Sequence, residues 1–134
     1  MLHSRRTPSL SIIIPVYDEI ATNLEEIRRS CPKDWEILVV DDGSRDISPQ
    51  ADIVHLGNRG YGQSLKSGVR QARADIVATM DGDGQHTIRD LKRLYDMAIY
   101  FPHLAMVVGD RRIKETSLKR WIGRKGLNWT ASLL

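Results

Sequence analysis

The stretch Ile76–His86, IVATMDGDGQH, places two aspartates, Asp81 and Asp83, one residue apart directly after an apolar run. Gly82 and Gly84 let the backbone turn tightly around them. Two carboxylates on one short turn repel each other unless a positive group sits between them. The simplest such group is a divalent cation with oxygen ligands, Mg2+ or Mn2+, which keeps positions open for phosphate oxygens. The motif therefore points to a site and not only to packing.

Other apolar runs end in the same way. Leu10–Pro15 leads into Val16, Tyr17, Asp18 and Glu19, and Trp35–Val40 into Asp41, Asp42, Gly43 and Ser44. Leu104–Val108 leads into Gly109, Asp110, Arg111 and Arg112. In an open parallel sheet, ligands bind beyond the carboxyl ends of the strands. Three acidic ends and one basic end along one sheet edge form a ligand site.

The elements that must position these residues follow from the periodicity. Short apolar runs alternate with amphipathic stretches, the pattern of an α/β domain with a mainly parallel central sheet flanked by helices. Strands are predicted at Leu10–Pro15, Trp35–Val40, Ile53–Leu56, Ile76–Met80 and Leu104–Val108. Helices are predicted at Asn23–Ser30, at Gln63–Arg73 with Leu65, Val69 and Ala72 at helical spacing, and at Ile88–Tyr100 with Leu91, Leu94, Tyr95 and Ala98 on one face. Gly43–Ala51 is too short for a crossover helix and predicts a loop or one helical turn.

A chain of 134 residues, 41% hydrophobic and 28% charged, suits one domain spanning residues 1–134 with a real core. The single cysteine, Cys31, excludes an internal disulfide framework and suits a reducing compartment. No apolar run approaches the length of a membrane span, and the N-terminal apolar stretch is too short for a secretory signal. The expected location is therefore cytoplasmic, with the Asn128-Trp129-Thr130 sequon accidental. From Arg111 onward there are seven basic residues against one acidic, whereas the preceding 110 residues carry thirteen against sixteen. Within this region, residues 113–134 form a basic amphipathic segment with Leu118, Trp121, Ile122, Trp129 and Leu133 on one helical stripe. It reads as an ordinary docking helix or as a peripheral contact with an anionic membrane. Nucleic-acid binding is not expected, because the rest of the chain is acidic and has no recognisable module.

The segments SIIIPVYDE, EILVVDDGS, NRGYGQSLKSGVRQARADIVATMDGDGQH and VVGDRR resemble the family 2 glycosyltransferases of GT-A (Rossmann-like) fold. Among these they are most similar to the dolichyl- and polyprenyl-phosphate sugar transferases. The resemblance runs from about Leu10 to Arg112, with four motifs in the expected order. It implies a metal-dependent, inverting transfer of a sugar from a UDP- or GDP-sugar to a polyprenyl phosphate, at the cytoplasmic membrane face. Pro15, Tyr17 and Glu19 would line the nucleotide pocket, and Asp42 would bind the base or ribose, with Asp41 supporting the turn. Asp81 would approach the ribose or the metal, Asp83 and Gln85 would hold the metal, and Asp83 would be the catalytic residue. Arg111, with Arg120 or Arg124, would contact phosphates.

Three departures stand out. Asp18 occupies a position where the family usually has Asn, adding negative charge near the nucleotide. The segment after Asp42 is shortened. Family catalytic domains are usually longer, so the alternative is a catalytically incomplete nucleotide-sugar-binding domain lacking its acceptor-binding part.

Other readings of the same residues are weaker. As an EF-hand loop, DGDGQHTIRDLK would have His86 at the sixth position and Lys92 at the twelfth, and it fails. Gly60 to Leu65 lacks the third glycine of a dinucleotide fingerprint and reads better as a loop beside the nucleotide, with Arg59 either a substrate contact or solvated. The scattered histidines His3, His55, His86 and His103 have no cysteine companions, which argues against zinc. A sugar-nucleotide-forming nucleotidyltransferase would need a glycine-rich basic loop where PVYDE stands.

Overall fold

The computed structural model describes residues 7–18, 24–83 and 86–109. Four parallel strands, β1 (Leu10–Val16), β2 (Trp35–Asp41), β3 (Ile53–Val54) and β4 (Val77–Thr79), form one sheet in the order β3-β2-β1-β4. Three helices accompany them: α1 (Leu24–Ser30), α2 (Tyr61–Gln71) and α3 (Ile88–Tyr100). The α/β architecture expected from the alternation is present.

β1 is the centre of the sheet because its sequence is apolar on both faces. It pairs along its whole length with β2, from Leu10 opposite Trp35 to Val16 opposite Asp41. On its other side Ser11, Ile12 and Ile13 face Val77, Ala78 and Thr79. Leu10, Ile12, Ile14 and Val16 belong to a core shared with Leu24 and Ile27 of α1 and Ile88 and Leu91 of α3. Trp35 joins the same core and meets Tyr95 edge-on, with ring centroids 5.2 Å apart.

The odd-numbered residues of β1 serve α2 and the segment after it. A Cβ on Gly68 would lie 2.5 Å from Ile13 Cγ2 and 2.9 Å from its Cγ1, so the helix approaches the sheet on small residues. Ser11 is fully buried; its hydroxyl donates to Glu36 Oε2 at 2.7 Å and accepts the Ala74 N–H at 3.1 Å. Arg73 completes this polar link, its Nε donating to Glu36 Oε1 at 2.6 Å.

The differences from the sequence-based reading are local. Leu104–Val108, expected as a fifth strand, has no strand pairing among the described residues and leaves Leu104, Met106 and Val108 exposed. An apolar run of this length has the composition of a strand, but without a paired edge beside it the backbone stays irregular. The third strand is only two residues, and Leu56 is fully exposed. In α2 the buried positions are Ser64 and Gly68, while Val69 is exposed, so the helix turns its small face to the sheet. The residues between β2 and β3 form bends and a turn, in line with the short connection.

The close approach at Gly68 is testable against Gly62, where an added Cβ meets nothing within 4 Å. Gly68→Ala should lower the unfolding free energy by about 1–3 kcal/mol through overpacking. Gly62→Ala should be neutral or stabilising by roughly 0.5–1 kcal/mol. Equal denaturation midpoints for the two variants would contradict the packing described.

Candidate functional site

The chain runs outward from β1 through β2 to β3, then returns through α2 to β4 on the far side of β1. This reversal opens a crevice at the carboxyl ends of the strands, where α/β sheets bind ligands. A cleft of about 430 Å³ lies there. Pro15, Val16 and Tyr17 line it from the end of β1, and Asp42 from the end of β2. Asn58, Gly60, Tyr61 and Ser64 form the wall at the start of α2, and Asp81, Gly82 and Asp83 the turn after β4.

Asp41 and Asp42 divide two tasks between them. Asp41 is fully buried, its Oδ1 accepting the Ser44 N–H and its Oδ2 the Ser48 N–H, each at 2.8 Å. Burial alone would raise its pKa, but the N–H groups of Ser48, Ser44 and Gly43 and the Ser44 hydroxyl outweigh that and hold the carboxyl below its usual range. Asp41 therefore shapes the loop after β2. That loop comes backbone to backbone against the one after β3: Gly43 has φ +80°, and a Cβ there would lie 2.5 Å from the Gly57 main chain.

Asp42 holds the second loop. Its Oδ1 accepts His55 Nδ1 at 2.6 Å and the Arg59 N–H at 3.0 Å, and its Oδ2 accepts the Gly60 N–H at 2.7 Å. Desolvation opposes ionisation here too, but these donors prevail and the carboxyl stays below its ordinary value. Gly60, with φ +89°, then starts α2 and brings Tyr61 and Ser64 to the cleft.

Asp18 does not present a bare charge to the nucleotide side. It adopts φ +47°, a left-handed conformation that Asp tolerates better than most residues. Its carboxylate accepts the Arg45 N–H at 2.9 Å and Arg45 Nε at 3.1 Å, and its own N–H donates to Ser44 Oγ at 2.9 Å. The added charge is spent on the loop after β2.

Across the cleft, Asp81 is half-exposed, with His86 Nδ1 3.9 Å from its Oδ2, too far for a hydrogen bond. Burial, and after it the negative charge and hydrogen bond of Asp81, push the Tyr61 phenol up. Among the described residues no group of three or more His, Cys, Asp or Glu could form an all-protein metal cage. Two carboxylates on one turn, lining this cleft, nevertheless fit Mg2+ or Mn2+. Such ions are often held by one or two carboxylates, with substrate phosphates and water completing the shell.

Five of the expected site residues, Pro15, Tyr17, Asp42, Asp81 and Asp83, meet in this one cleft. Glu19, Gln85, Arg111, Arg120 and Arg124 lie outside the described residues, as does the 113–134 segment. The sequence reading gave no site role to His55 or Asn58; it placed Ser64 beside the nucleotide within a Gly60–Leu65 loop, but from Tyr61 onward that stretch is the first turns of α2. A signal existed for His55, which directly follows β3 at the edge where the other polar residues gather.

The family model for glycosyl transferase family 2 matches residues 11–132. The chain is also similar to proteins named undecaprenyl-phosphate 4-deoxy-4-formamido-L-arabinose transferase. That of Pseudomonas paraeruginosa is 33% identical over 134 residues, covering 86% of this chain and 39% of the relative. That of Pectobacterium carotovorum is 33% identical over 139 residues, covering 90% and 42%. That of Pseudomonas fluorescens is 36% identical over 132 residues, covering 84% and 38%. The chain thus spans about two-fifths of the length of these curated relatives.

The depressed carboxyls make acid stability a test of the site's architecture. Glu36 joins Asp41 and Asp42: desolvation raises its pKa, but its bonds to Ser11 and Arg73 win. A carboxylate whose folded pKa is depressed stabilises the fold above its unfolded pKa of about 4, and that contribution is lost as pH falls through the folded value. Denaturation midpoints should therefore hold from neutral pH to about 5 and fall progressively below about 4. Asp41→Asn should flatten that acid limb; an unchanged limb would count against the assignment.

Proposed function

This chain belongs to glycosyl transferase family 2, and on that premise we propose that its cleft binds a nucleoside-diphosphate sugar together with Mg2+ or Mn2+. The sugar is passed, with inversion, to a polyprenyl phosphate. The observation that carries the reading is the pairing, across one 430 Å³ cleft, of the acidic turn at Asp81 and Asp83 with the wall organised by Asp42. The names of the relatives, which specify undecaprenyl phosphate, support the acceptor class.

Each residue then has a definite task. Asp42 takes a hydrogen bond from the nucleoside, and Pro15 and Tyr17 close the pocket around it. Asp81 and Asp83 hold the cation, with Gln85 as a further oxygen ligand. When bound, the cation offsets charge developing on the departing diphosphate. Arg111, with Arg120 or Arg124, adds positive charge at the same phosphates. A lipid-phosphate oxygen is already anionic and attacks without a general base, so the demands on the protein are positioning and charge neutralisation. Such an acceptor implies a reaction at a membrane surface, and we assign it to the cytoplasmic face. Among the described residues no helix is long and apolar enough to cross a membrane; the basic 113–134 segment would supply a peripheral contact.

Calorimetric titration with UDP and GDP, with and without Mn2+, tests the main reading. One of the two should bind more tightly with the metal. Asp83→Ala should remove that enhancement and weaken binding by at least about tenfold, the scale of one lost charge-assisted contact. Metal-independent affinity in the wild type would overturn the cation assignment.

A further inference from the structure

His55 is a buried residue with two side-chain partners, on two different elements. Its Nδ1 lies 2.6 Å from Asp42 Oδ1, and both side chains are about 5% exposed. Its Nε2 lies 2.8 Å from Ser67 Oγ, on α2. Its own N–H donates to the Asp41 carbonyl at 2.8 Å, which sets the ring at the end of β3.

The direction of the bond to Asp42 follows from charge, and that of the bond to Ser67 from the form of the ring. Asp42 is ionised, so Nδ1 must carry the proton it donates. In the neutral ring Nε2 is then an acceptor, and the Ser67 hydroxyl donates to it. In that form the order is Ser67 to His55 to Asp42. We propose that His55, oriented by Ser67, is the positioning residue that aims the Asp42 carboxylate at the nucleoside, a role that rests on the reading of the cleft as a nucleotide site.

The consequence for the ligand comes from counting lone pairs. A carboxylate offers about four acceptor positions. Among the described residues, His55, Arg59 and Gly60 occupy three of them. One position on Oδ2 remains for a ligand in the cleft, which selects a single N–H or O–H donor such as a base N–H or a ribose hydroxyl. If His55 were lost, Oδ1 would keep only the Arg59 N–H and the carboxylate could rotate away from that geometry.

The same residue types form nucleophilic triads elsewhere. Here Ser67 is not among the residues lining the cleft, whereas Asp42 is. The ligand meets the carboxylate end of the relay, so the serine orients and does not attack.

Nucleoside-diphosphate affinity with Mn2+ should fall roughly 10–100-fold in His55→Phe, the scale on which loss of a residue orienting a metal ligand is felt. His55→Asn, whose amide can replace Nδ1–H, should recover part of the loss, and Ser67→Ala should show a smaller loss of the same sign. If transfer is measured, the change should fall on the donor KM and not on kcat. Wild-type affinity in folded His55→Phe, or in Ser67→Ala, would overturn the proposal, as would His55→Asn binding no better than His55→Phe. Should His55→Phe fail to fold, Ser67→Ala and His55→Asn decide alone. Nitrogen-15 spectra of the imidazole provide a ligand-free measurement: Nδ1 should be protonated and Nε2 not, with Nε2 shifting in Ser67→Ala. Absence of nucleotide binding in the wild type would remove the cleft reading itself, while an Nε2–H tautomer would overturn the relay.

Discussion

Burying two adjacent carboxylates costs several kcal/mol per ion unless donors replace the water they lose. At the end of β2 this demand organises everything around it. Asp41 gathers the N–H groups of Ser44 and Ser48, and Asp42 gathers His55 and the N–H groups of Arg59 and Gly60. The loops are therefore arranged around the charges. Without Asp41 the segment after β2 would keep only its bonds to Asp18, and without Asp42 the Gly60 N–H at the start of α2 would keep only Asn58 Oδ1. The cleft wall is a by-product of satisfying those two groups.

The strand order then turns this local arrangement into a site. β1 sits between β2 and β4, so the ends of both neighbours open on the same crevice. One side presents a carboxylate already provided with donors; the other presents two carboxylates on a turn beside Tyr61. A ligand bridging them must offer a hydrogen-bond donor at one end and a group that tolerates a shared cation at the other. A nucleoside diphosphate has both.

Much of this was legible from the residues alone, for identifiable reasons. β1 and β2 are buried on both faces or nearly so, and continuous apolar runs report that directly. α3 carries its burial on large residues, so its face is readable too. α2 is different: its close contact is made by Ser64 and Gly68, and a pattern of large apolar side chains is blind to a surface made of small ones. Leu104–Val108 shows the converse, a run with strand composition and no pairing among the described residues. His55 escaped because its meaning lies in partners twelve and thirteen positions away, brought to it only by the fold.

The adjacency of Asp41 and Asp42 has an evolutionary consequence. Successive residues of a strand point to opposite sides, so the two aspartates serve different loops only while β2 keeps its length. A substitution within the strand alters one contact, but a single-codon insertion or deletion there would exchange the sides of both carboxylates and strand each beside the wrong loop. Length variation is absorbed at least cost beyond the last N–H that Asp41 binds, at Ser48, and before Asp52, whose carboxylate accepts the Val39 N–H, because the Gln50 and Ala51 N–H groups bond only back to Ser48. In this lineage gaps should collect at positions 49–51 while β2 drifts by replacement alone.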